Sequence, residues 1–231
     1  MPDDSMRIEV AGENALIVYL GDALSPVVAD RVRWLDQQLR ERLVDQLIDT
    51  VPSYASVLVI YRPDRIRMEA LQEHIEEFGR ATSEPMTKEE GRLVTLPVWY
   101  GTESGPDLAA LAESNGLSLD EVVRRHHLRQ YRVYAIGFAP GFAYLGEVDE
   151  AIAQPRLATP RQHVPTGSVG IADRQTAVYP AESPGGWNLI GRCPVRMFDP
   201  LAAASMPVGV GDRIQFEPIS RSEHLELGGA P

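Results

Sequence analysis

Residues 137–211 hold 10 glycines and 9 prolines among 75 positions. Glycine costs chain entropy inside a regular element and proline removes a backbone donor, so this density excludes long helices there. Short strands joined by tight turns remain, the pattern of a barrel or sandwich. The runs Tyr131–Phe138, Val169–Ala172, Ala177–Tyr179, Val195–Phe198 and Arg213–Pro218 supply candidate strands, and Arg92–Tyr100 alternates through Val94, Leu96 and Val98 as another. Two helices are predicted between them, Pro106–Glu113 and Ser118–His127. The second opens on Ser118 and Glu121 at capping-box spacing.

The first 80 residues read differently. Met6–Val10 and Ala15–Leu20 flank Gly12-Glu13-Asn14, a hairpin signal. Ser25-Pro26 opens a helix with serine as its cap and proline in its first turn. Val28, Val32, Leu35, Leu39 and Leu43 place one apolar stripe on that helix. Leu47–Val51 and Ala55–Tyr61 are β-rich, and Ile66–Phe78 repeats at helical spacing. The expected organisation is an α+β N-terminal domain over 1–85, an antiparallel sheet with two helices. A linker over 86–91, a mainly-β barrel domain over 92–219 and a flexible tail over 220–231 follow.

Charge narrows the function. With 22 basic and 33 acidic residues the net charge is −11, and no basic block exists to grip nucleic acid or an anionic membrane. No apolar stretch approaches the roughly 20 residues of a membrane span. The acidic start, Met1-Pro2-Asp3-Asp4, is unlike a secretory signal, so a cytoplasmic address is expected. Cys193 is the one cysteine, which excludes an internal disulfide; it reads as a small buried hydrophobe. Lys88 is the one lysine, so there is no Gly-Lys-Ser/Thr phosphate loop. His74, His163 and His224 show no metal-ligand spacing, and no metal is expected.

Three segments could carry chemistry. In Ile136–Gly146, Gly137, Pro140 and Gly141 interleave with Phe138, Phe142 and Tyr144. That composition suits either the aromatic-lined mouth of a small-molecule pocket or a tight barrel corner. In Thr159–Gly170, Arg161 could fork onto a carboxylate or phosphate, and the amides of Gly167 and Ser168, beyond Pro165, could form an anion nest. The alternative is a surface arginine beside a proline-strapped loop. Ser168 has glycine on one side only, unlike a hydrolase nucleophile elbow. In Ser183–Gly191, Gly186 precedes Trp187, which either stacks on a planar ligand or anchors a core, and Asn188 could read an amide or carboxylate. His126 ends a helix and is either a general acid–base or a dipole partner.

These segments resemble the allophanate-hydrolase-subunit-1 family. The similarity rests on Tyr131–Gly146, Pro160-Arg161, Val164-Pro165, Gly167-Ser168-Val169-Gly170 and Ser183–Arg192, with Val51–Ser56 and Gly105–Leu108 also alike. The resemblance implies a cyclophilin-like barrel after a small α+β domain. Members include the B subunit of bacterial 5-oxoprolinase, the sporulation kinase inhibitor KipI, and part of the carboxyltransferase region of urea carboxylase. It therefore implies ATP-dependent opening of the 5-oxoproline lactam to glutamate, with ATP bound by the complex. The implied partners are a second cyclophilin-like subunit, of the 5-oxoprolinase C type, and a lactam-utilisation subunit. Inhibition of a sensor histidine kinase and carboxyl transfer to urea-type substrates are the alternatives. By resemblance, the active surface lies near Phe138–Leu145 and Arg161, facing the partner. Thr166, Asp173-Arg174 and Ala177 depart from the family pattern.

Overall fold

The computed structural model describes residues 6–22, 25–81 and 91–230. The chain packs as two compact units, residues 1–90 and 91–231.

In the first unit, β1 (Arg7–Gly12) and β2 (Ala15–Tyr19) form the expected hairpin. Then come α1 (Pro26–Arg42), β3 (Leu47–Pro52), β4 (Ser56–Tyr61) and α2 (Met68–Ala81). The sheet order is β1-β2-β4-β3, antiparallel throughout. Ser25 Oγ accepts from the Val28 N–H at 3.1 Å, which satisfies a donor the helix itself cannot. Alternation sends Leu16, Val18, Val57 and Val59 to one sheet face, where Val32, Leu35 and Leu39 of α1 and Leu71 and Ile75 of α2 bury against them. Each such side chain contributes about 1.5–3 kcal/mol by leaving water.

The second unit opens with β5 (Leu93–Tyr100), α3 (Leu108–Ser114), α4 (Leu119–His127), β6 (Gln130–Ile136) and β7 (Ala143–Gly146). It continues with β8 (Arg161–Val164), β9 (Ser168–Ala172), β10 (Gln175–Val178), β11 (Ser183–Gly185), β12 (Asn188–Arg192), β13 (Arg213–Ile219) and α5 (Arg221–Glu226). Seven strands close a barrel in the order β10-β7-β6-β13-β5-β12-β9, and β8 and β11 form a separate ribbon. The β5–β13 pair is parallel, in register from Leu93 opposite Arg213 to Trp99 opposite Ile219. The Asp212 carboxylate staples that seam, accepting from Arg92 Nη2 at 2.6 Å and the Gly209 N–H at 2.8 Å.

Three expectations need correction. Val195–Phe198 is not a strand; it follows Pro194 and packs by its backbone against Gly141. The tail is not frayed over residues 220–230, because a full capping box at Ser220 and Glu223 starts α5 and buries His224. Its imidazole Nε2 meets the Ala230 carbonyl at 3.1 Å, and its ring lies 5.5 Å from Trp99. The glycine-rich segments are also less loop-like than their composition implies, since β7 and β12 run through them. Most of the expected linker, residues 86–90, lies outside the described residues.

Candidate functional site

The loop leaving β6 turns on three short backbone bonds: Gly137 N–H to Phe142 O, Ala139 N–H to Gly137 O and Phe142 N–H to Ala139 O, at 2.8–3.0 Å. Phe138 sits at its tip with φ 67°, a left-handed conformation costly for an aromatic residue, and is 65% exposed. Pro140 is exposed beside it. Gly141 has φ 83°, and a Cβ there would lie 2.5 Å from the Met197 carbonyl, so glycine is required. The tip is therefore built rather than slack.

Behind it the aromatics turn inward. Phe142 meets Phe138, Tyr144, Tyr179 and Trp187 with ring centroids 4.8–5.6 Å apart, each near edge-to-face. Such pairs add about 0.5–1.5 kcal/mol each beyond burial. Phe142, Tyr179 and Trp187 are buried and make a second core with Val164 and Leu189. The pocket-wall expectation is thus corrected for Phe142 and Trp187, which fill a core. Tyr144 is half-buried and Phe138 remains outside.

Arg161 opens β8, and its Nη2 donates to Asp107 Oδ1 at 2.6 Å. Asp107 Oδ2 accepts from the Leu189 N–H at 2.7 Å, and the Asp107 N–H returns a bond to the Leu189 carbonyl at 3.0 Å. Asp107 thus joins the start of α3, β8 and β12. Sequence reasoning missed it because its position reads as the cap of α3, yet its side chain makes no cap bond. Asp107→Ala strands the Arg161 guanidinium and the Leu189 N–H together. The expected cost is about 2–4 kcal/mol in urea unfolding. A smaller cost is expected for Asp107→Asn, which keeps an acceptor.

The anion nest is also corrected. The Gly167 N–H donates to the Tyr179 carbonyl at 2.8 Å and the Ser168 N–H to the Pro165 carbonyl at 3.2 Å, so both amides are spent within the fold. Ser168 is buried, while Pro165 is exposed. Asn188 donates through Nδ2 to the carbonyls of Pro155 and Ile171, at 2.9 and 3.1 Å, leaving no amide hydrogen for a ligand. The Gly186 carbonyl accepts from the Leu157 N–H at 2.7 Å.

His126 lies away from these residues, at 0% exposure. Thr176 Oγ1 donates to the Gly170 carbonyl at 3.0 Å, so it accepts from His126 Nε2 at 2.9 Å. Nδ1 then accepts from the Tyr100 hydroxyl at 2.7 Å. Phe216 stacks on the ring at 4.6 Å. Burial, and secondarily His127, push its pKa down to about 3. An imidazole enclosed this way stays neutral near pH 7 and reaches no substrate, so the acid–base expectation for His126 is withdrawn. Among the described residues no group of three or more His, Cys, Asp or Glu could hold a metal ion. No helix among them is long and apolar enough to cross a membrane.

Comparison with known proteins places this architecture. The family model described as carboxyltransferase domain, subdomain C and D, matches residues 6–208. A protein of Bacillus subtilis (strain 168) named as the B subunit of 5-oxoprolinase is 36% identical over 228 residues, covering 94% of this chain and 95% of its own. One of the same name from Escherichia coli O157:H7 is 38% identical over 216 residues, covering 92% and 95%. Among solved structures, TTHA0988 superposes with a TM-score of 0.79 at 34% identity over 89% of this chain, which spans only 40% of that longer polypeptide. The chain therefore belongs to the carboxyltransferase subdomain C and D family, together with proteins named as the B subunit of 5-oxoprolinase.

Proposed function

We propose that this chain is one subunit of an ATP-dependent assembly that opens the 5-oxoproline lactam to glutamate, working with a second barrel subunit and a lactam-utilisation subunit. The observation that carries this reading is the near end-to-end match to relatives named as the B subunit of 5-oxoprolinase. Lactam opening is uphill near neutral pH until ATP activates a carbonyl or carboxylate oxygen, and the developing charge then needs fixed donors. Arg161, oriented by Asp107, is the donor this chain offers. ATP is assigned to the assembly, since the sequence has no phosphate-loop motif.

The exposed tip at Phe138 and Pro140 backs onto Met197–Phe198 through Gly141. This exposed apolar tip on an acidic chain is assigned to the second subunit. The length of TTHA0988 beyond the matched part agrees with a second polypeptide region working beside this one.

The test is reconstitution of all three subunits with ATP and 5-oxoproline, following glutamate. Turnover is expected only when this chain is present; equal turnover without it would end the proposal. Phe138→Ala is expected to weaken capture of the second subunit by about tenfold or more, while stability falls by only about 0.5–1.5 kcal/mol, the contribution of its edge contact with Phe142.

A further inference from the structure

We propose that Arg156, resting over the Trp187 ring, binds the carboxylate of a small organic acid. Its guanidinium lies 5.9 Å from the ring centroid. The residue is exposed, and among the described residues it makes no hydrogen bond or ion pair. Other arginines of this unit already have a carboxylate partner: Arg161 has Asp107, Arg125 has Asp149 and Arg174 has Glu147. On a chain of net charge −11, a guanidinium that pairs with no carboxylate among the described residues can take an anion from solution.

The backbone that carries Arg156 is held on both sides. The Pro155 carbonyl accepts from Asn188 Nδ2 at 2.9 Å, and the Leu157 N–H donates to the Gly186 carbonyl at 2.7 Å. The residues on both sides of Arg156 are thus pinned to the Gly186–Asn188 segment. Trp187 is itself fixed against Phe142 and Tyr144. A guanidinium carried on a pinned stretch of backbone can fork onto a carboxylate through two parallel hydrogen bonds. Burial pushes the Tyr179 hydroxyl above its ordinary range. A backbone hydrogen bond from Trp187 and the charges of Arg156 and Arg161 oppose the rise.

A guanidinium fork takes a carboxylate, and 5-oxoproline carries one on the ring carbon beside its lactam nitrogen. Naming that acid rests on the function proposed above. The test is calorimetric titration of the full chain with 5-oxoproline, with 2-pyrrolidinone (the same ring without the carboxylate) and with inorganic phosphate. Saturable binding of 5-oxoproline alone is expected. Arg156→Gln is expected to weaken it at least tenfold, about 1.4 kcal/mol, with an unchanged melting temperature, and Arg156→Lys to weaken it less. Undiminished binding by Arg156→Gln, no saturable binding of 5-oxoproline, or equal binding of 2-pyrrolidinone or phosphate would each overturn the proposal. Because binding needs no turnover, failure of the lactam-opening reading shows separately, as an inactive reconstituted complex.

Discussion

Acidification from pH 6.5 towards pH 4 is expected to destabilise the barrel-bearing unit, and His126→Gln is expected to flatten that loss. The sign follows from linkage. His126 has a folded pKa of about 3, below its unfolded value near 6.5. Above pH 6.5 neither state holds the proton and nothing is lost. Between 6.5 and 3 the unfolded chain binds a proton that the folded chain refuses, so stability falls as pH falls. At about 1.4 kcal/mol per pH unit the loss is on the order of 4 kcal/mol across the window. His127 and His224 are also held low by burial and contribute in the same direction. Comparison with His126→Gln isolates the one ring. Glutamine can accept from Tyr100 and donate to Thr176 but cannot titrate. The variant should be less stable than the native chain at pH 7.5, where the ring's packing against Phe216 is lost, and should lose less on acidification. Urea midpoints from pH 7.5 to 4.5 read both effects; parallel curves for the two proteins would show that His126 is not the group responsible.

Gly167→Ala is the second large effect. Gly167 has φ 79°, which costs an alanine about 1 kcal/mol, and the added Cβ would lie 2.3 Å from the Cys193 carbonyl. That neighbour is backbone and cannot rotate away. It is also held, since the Cys193 N–H donates to the Gly167 carbonyl at 2.8 Å. Relief requires moving β9 from the segment after β12, so a loss of at least about 3 kcal/mol is expected in equilibrium unfolding. Gly137→Ala is the control within the same glycine-rich region. A Cβ there meets nothing within 4 Å, and its φ is not left-handed, so a change within about 0.5 kcal/mol is expected.

Local signals were legible where one side chain serves one element. Ser25 with Pro26 announced α1, Ser118 announced α4, and the stripe from Val28 to Leu39 announced the buried face. The barrel was legible as a class, through turn residues at short spacing. What spacing could not separate was an aromatic lining a hollow from one filling a corner. Phe138 and Phe142 share the same loop, yet the left-handed turn at Phe138 throws one ring out and the other in. Arg161 looked free because its partner Asp107 lies 54 residues away. The Gly167 and Ser168 amides looked available because their acceptors belong to long-range folding. Ser220-x-x-Glu223 was a readable start signal for α5 that the polar composition of the tail obscured.

The parallel seam sets the order in which this unit can be completed. β13 follows every other strand of this unit, yet it sits between β5 and β6, the unit's first two. A nascent polypeptide emerging from the ribosome holds both of those edges open until Arg213–Ile219 arrives. Loss of that stretch leaves two unpaired strands facing each other across a gap, which is a template for joining other molecules edge to edge. Closure therefore rests with Arg213–Ile219, and a premature stop before them yields an open, adhesive sheet in place of a barrel.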